Sequence, residues 1–260
     1  MAITLTGINH PHYGYITLSS SCDEEYPTVT RLILKRKIQS DILFTSLYTK
    51  QVSTESDLTF EYTDFLCRNN VTYQYKVVYL NDEDSVVAEE YLNIKSHFDV
   101  LVIADIDAIW VTPLNCSAIN TTRIKPYAIN SPIYSQKPST YSVSAINYEE
   151  GTCTGIFLEM TGTEDNITFE TDNNWRYRKR FKDFITQGNA KILKGTSGDA
   201  WMVSIKTDSI ADMSLFDKAE IDGARQIEFG WTEVGNLESE SNLYDNSFIS
   251  VPPEYWSSGE

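Results

Sequence analysis

Histidine occurs three times in 260 residues, and cysteine four times without one Cys-x-x-Cys pair. Zinc sites and dithiol redox centres need closely spaced ligands, so Cys22, Cys67, Cys116 and Cys153 read as reduced, mostly buried thiols. His10 and His12 flank Pro11 and His97 stands alone, with no acidic or Cys partner at ligand spacing. They read as loop residues, and no Ser-His-Asp or Cys-His set can be assembled from them. No metal, no cofactor and no catalytic residue are expected. Positive charge is also scarce: 21 Lys and Arg stand against 37 Asp and Glu, a formal net charge of −16. Tight binding to nucleic acid draws on Lys and Arg, so specific nucleic-acid binding is not expected. The longest wholly apolar run, residues 100–104, is far shorter than the roughly 20 residues of a membrane-spanning helix. The first residues carry neither a basic start nor an apolar run, so secretion by a signal peptide and membrane attachment are not expected. The four Asn-x-Ser/Thr sites, at Asn70, Asn115, Asn120 and Asn166, then read as accidents of an Asn- and Thr-rich composition.

Helical periodicity is rare too, and the one convincing instance is residues 175–187. Tyr177, Phe181, Phe184 and Ile185 share one face there, while Arg176, Lys179, Arg180, Lys182 and Asp183 lie elsewhere. Asp172, Asn173 or Asn174 suits the cap, and Gly188 suits the left-handed stop. Two short strands follow, 191–194 and 200–205, joined by the loop Gly195-Thr196-Ser197-Gly198-Asp199.

The rest reads as β-structure. Seven candidate strands occupy residues 3–8, 15–20, 28–37, 42–49, 58–62, 73–80 and 86–94, the spacing of a β-sandwich. Tyr73, Tyr75, Val77 and Tyr79 alternate cleanly, whereas both faces of 28–37 mix apolar and basic residues. Asn81-Asp82-Glu83-Asp84 is a hairpin tip. The run Asn70-Val71-Thr72-Tyr73-Gln74-Tyr75-Lys76-Val77 resembles the sixth strand of a fibronectin type III domain. That resemblance implies that Tyr73 anchors the preceding corner and that the module spaces or binds. The family's usual Trp on the second strand is absent, with Ile16 and Leu18 there instead.

Beyond residue 97 the pattern changes. Strands are expected at 100–104 and 108–112 with a turn at 105–107, and a strand pair at 141–148 and 152–161 with Glu149-Glu150-Gly151 at its turn. Residues 225–234 form a last strong strand. Residues 114–137 are rich in Asn, Thr, Ser and Pro without periodicity and read as a long extended arm or a loop, and the chain from Gly235 is expected to be extended.

The order of IADIDAIW, NTTRIKPY, YRKRFKDFITQG, KILKGTSGDAWMVSI and IEFGWTEVGNLESESNLYD resembles baseplate or distal-tail proteins of bacteriophages, over roughly residues 98 to 245. The resemblance implies a tail-tube-like β-sandwich or barrel with one flanking α-helix, assembling as a ring. The organisation expected is therefore a fibronectin type III-like sandwich (1–97), a tail-tube-like β domain (98–245) and an extended tail (246–260). The implied function is a structural part of a phage or phage-derived tail, resident in the virion. Its partners are itself, as a ring homo-oligomer such as a hexamer around the DNA channel, and other tail or baseplate proteins.

The carboxylates of residues 100–107 (VLVIADID) suggest the aspartate-nucleophile or metal-dependent transferases that end an apolar strand in Asp-x-Asp. Such enzymes need a βαβ frame and a second acidic motif, so a plain turn is the preferred reading. Arg176, Arg178, Lys179, Arg180 and Lys182 form the one dense basic cluster, read as subunit salt bridges rather than DNA contacts. Tyr127, Tyr134, Tyr244 and Trp256 complete the expected interface set with Arg176, Arg178 and Arg180; such aromatics serve protein contacts or sugar stacking. A carbohydrate-binding module reading host glycans is the rival expectation. With 13 basic against 24 acidic residues after residue 97, a ring lumen is expected to repel the passing DNA.

Overall fold

All seven strands of the first module form. The computed structural model describes residues 3–24, 26–112, 118–130, 133–134, 136, 140–163, 166–170, 174–214 and 225–252. Strands β1 (Ile3–His10), β2 (Tyr15–Cys22), β3 (Arg31–Ile38), β4 (Thr45–Gln51), β5 (Phe60–Asp64), β6 (Thr72–Leu80) and β7 (Val86–Lys95) make two antiparallel sheets, ordered β1-β2-β5 and β4-β3-β6-β7. Tyr73, Tyr75, Val77 and Tyr79 all point inward, as their alternation requires. The mixed pattern of β3 resolves with Leu32, Leu34 and Arg36 inside. Arg36 is admitted because Asp64 lies opposite, and its guanidinium meets both carboxylate oxygens at 2.9 and 2.7 Å. At the hairpin tip the Asn81 side chain accepts from the Glu83 and Ser85 amides.

Tyr73 does anchor the preceding corner, its hydroxyl accepting from the Arg68 amide at 2.9 Å. Tyr73→Phe keeps the ring and leaves that amide without its partner, so a loss of about 1 kcal/mol is expected in urea unfolding. A midpoint equal to the parent's would show that the corner does not depend on this bond.

Beyond residue 97 the dominant feature is one seven-stranded antiparallel sheet. Its strands are β8 (Leu101–Ala104), β9 (Ile109–Thr112), β10 (Ala118–Ile124), β13 (Tyr148–Gly155), β16 (Lys191–Lys194), β17 (Ala200–Ser214) and β18 (Arg225–Gly235), ordered β10-β13-β18-β17-β16-β8-β9. Two hairpins stand apart from it: β11 (Tyr127–Asn130) with β12 (Thr140–Val143), and β14 (Glu159–Thr163) with β15 (Asn166–Glu170). Helix α1 (Asn174–Ile185) covers one face. Phe181, Phe184 and Ile185 pack there on Leu101, Ile103, Leu193, Val203, Phe229 and Trp231. Gly188 takes the left-handed conformation, φ +85°, just past the helix. The expected caps Asp172 and Asn173 lie outside the described residues.

The other face of this sheet packs on the first module. Because strand side chains alternate, β16 sends Leu193 to the helix and Ile192 to the sandwich core. Lys194 follows Ile192, fully buried, and its ammonium donates to the carbonyls of Gly14, Phe65 and Cys67 at 2.6, 2.7 and 3.0 Å. Burial pushes its pKa down. The two halves are thus joined by a shared apolar core and a buried cation.

Four expectations need correction. Glu149, Glu150 and Gly151 are not a turn but lie inside β13 between β10 and β18. Gly151 is there for close approach, since a Cβ would sit 1.7 Å from the Asn120 carbonyl oxygen. The expected strand at 152–161 is broken by buried Ile156, Phe157 and Leu158. Residues 114–137 are not a plain arm: β10 is the sheet's edge, largely exposed and therefore free to be polar, and β11 pairs with β12. Nor is the chain after Gly235 extended. Helix α2 (Glu240–Asp245) starts at Ser239, whose hydroxyl accepts from the Asn242 amide, and it closes through a turn at Ser247. Leu243, Phe248 and Ile249 bury themselves in the sandwich core, so residues 246–249 are not an extended tail.

Candidate interaction surfaces

The basic helix is mostly spoken for within the chain. Arg178 points inward with 9% exposure. Asp212 of β17 receives Lys182 at 2.6 Å, Arg225 at 2.7 Å and Arg178 at 3.8 Å. Burial alone would raise the Asp212 pKa, but the Lys182 hydrogen bond and the three cations hold it below the usual carboxylate range. Arg180 reaches Glu159 at 3.1 Å on the surface, and Arg176 lies over the exposed Trp175 ring at 5.2 Å. Arg178 is therefore a structural cation rather than a surface contact, while Arg176 and Arg180 remain on the surface.

The carboxylates after β8 sit in a turn, as the sequence indicated. Asp105 is buried, accepts from the Asp107 and Ala108 amides at 2.9 Å, and meets Lys191 at 2.7 Å. Burial opposes its ionisation, yet Lys191 and these amides keep its pKa below the ordinary value. Lys191 lies 4.0 Å from the centre of the Phe184 ring, which ties the turn to the end of α1. His10 bonds Thr17, His12 faces Asp99 at 3.3 Å and His97 faces Asn70 at 3.2 Å. Cys22, Cys67 and Cys153 are free and buried; Cys116 lies outside the described residues.

Exposed apolar side chains occur at several places, among them Ile42 and Leu43 between β3 and β4, and four of them lie on the β11–β12 hairpin. Tyr127, Ile129, Ile133 (84% exposed) and Tyr134 (101%) stand out into solvent there, Tyr134 at a left-handed φ of +80°. Such side chains on a hairpin clear of the core mark a contact surface. Next to it in sequence, β10 is the edge strand of its sheet, with no further strand paired to it among the described residues. The expected interface set is thus divided: Tyr127 and Tyr134 share this hairpin, the arginines lie on α1, and Tyr244 lies on α2. Trp256 lies outside the described residues.

A second surface was signalled in the sequence by Tyr244 alone. Tyr48 of β4, Tyr62 of β5, Ile106 of the β8–β9 turn, and Tyr244, Asp245 and Phe248 around α2 line a groove of about 760 Å³. These residues come from separate parts of the chain, so no spacing rule could gather them. Neither models of known protein families nor curated proteins give a match to this chain.

Proposed function

We propose that this chain is a structural subunit of a phage or phage-derived tail, assembling as a ring in the distal-tail or baseplate region of the virion and carrying out no catalysis. The observation that carries this reading is the projecting β11–β12 hairpin, with Tyr127, Ile129, Ile133 and Tyr134 exposed beside the edge strand β10. Apolar side chains held out in this way are a cost in an isolated chain and an asset in a repeating contact. A head-to-tail contact whose rotation closes produces a ring. The net charge of −16 suits a subunit past which DNA travels without adhering.

The test is mass by light scattering across a concentration series. The parent is expected to form a closed oligomer, and Ile133→Asp with Tyr134→Ser is expected to return it to monomer with an unchanged melting curve. A parent that stays monomeric at high concentration overturns the ring.

A further inference from the structure

We infer that the groove between the sandwich edge and α2 binds a neutral pyranose saccharide carrying an acetamido group. Its walls are aromatic. Tyr48 and Tyr62 lie 5.6 Å apart on the sandwich side, and the half-exposed Tyr244 ring and Phe248 line the α2 side. Its polar groups are uncommitted: among the described residues the hydroxyls of Tyr48, Tyr62 and Tyr244 and the carboxylate of Asp245 have no hydrogen-bond partner. Rings that present an apolar face and a free hydroxyl match a pyranose, which has C–H groups on its faces and hydroxyls around its edge.

Charge selects within that class. Among the described residues no Lys, Arg or His lines the groove and Asp245 is its one carboxylate, on a chain of net charge −16. An anionic saccharide or a phosphate would meet only repulsion. Shape selects further. A smaller cavity of about 100 Å³ shares Tyr62, Ile106 and Phe248 with the groove and runs back to Phe65. It is too small for a sugar ring and suits the methyl end of an acetamido substituent.

Sugar binding in the groove does not depend on ring assembly. It is read on the full chain in solution, so a monomer that binds the sugar would leave it intact while removing the tail reading. The experiment follows the aromatic NMR signals during titration with an N-acetylglucosamine trimer and, separately, a glucose trimer. Saturable shifts at Tyr48, Tyr62 and Tyr244 with the acetamido sugar, and weaker ones with the glucose trimer, are expected. Tyr244→Ala is expected to weaken binding roughly three- to tenfold, Asp245→Asn and Tyr62→Phe to weaken it also, and Tyr134→Ser to leave it alone. No shift with the acetamido trimer, or binding indifferent to both Tyr244→Ala and Tyr62→Phe, overturns the inference. So does binding that appears only after residues 253–260 are removed, since this chain's own terminus would then be the occupant.

Discussion

Asp64→Ala is expected to lower the unfolding free energy by about 3–5 kcal/mol, the cost of stripping a buried charge of its partner. Asp64 has no exposed surface and takes four hydrogen bonds: two from the Arg36 guanidinium, one from the Tyr75 hydroxyl at 2.5 Å and one from the Leu66 amide at 2.8 Å. Arg36 is 7% exposed and lies 4.8 Å from the Tyr73 ring centre. Burial by itself lowers the guanidinium pKa, but Asp64, Tyr73 and Tyr75 more than reverse this. An arginine cannot escape by losing its proton. Removing the carboxylate therefore leaves a desolvated cation, a hydroxyl and an amide together in the core. Replacing both ends, Arg36→Met with Asp64→Leu, removes the charges as a pair and is expected to recover most of the loss. Urea unfolding of the three variants reads this directly. If Asp64→Ala stayed within about 1 kcal/mol of the parent, the network would be shown to carry little.

Phe181→Ala should cost a similar amount, about 3–5 kcal/mol, by a different route. The ring is fully buried and stacks on Phe157 at 3.7 Å, with Trp110 at 5.5 Å and Phe229 at 6.2 Å. With Phe184 and Ile185 it holds α1 to the sheet, and such aromatic groups cannot collapse into the space left behind. For a chain of this size the loss corresponds to a melting point lower by roughly 10 °C. An unchanged melting curve would falsify this account of the helix.

What was legible in the sequence followed from periodicity and turn residues. Seven strands of the sandwich were readable as short runs punctuated by turns, β6 also because its inward positions alternate, and α1 because Phe181, Phe184 and Ile185 fall on one face. The failures share a cause: a tertiary partner altered the local signal. Arg36 blurred β3 because Asp64 makes an inward arginine tolerable. Gly151 looked like a turn because its reason, the Asn120 carbonyl, lies on another strand. β10 was hidden because an edge strand buries too little to need an apolar alternation. α2 spans only six residues, too few for a helical period, and is held by Leu243 and the buried residues after it. Of the surfaces, the aromatics at Tyr127 and Tyr134 were visible in the sequence, while of the groove only Tyr244 was, since its other walls come from distant parts of the chain.

Lys194 has a consequence for inheritance. A β-sandwich of about a hundred residues looks like a cassette that recombination could move between genes. Here the Gly14, Phe65 and Cys67 carbonyls are closed by an ammonium that the chain supplies more than a hundred residues later. A transplanted sandwich would arrive with three acceptors facing an apolar neighbour that offers no donor. Exchange at residue 97 therefore succeeds only with a recipient that already has a lysine at the equivalent place, and the two halves are expected to have diverged together.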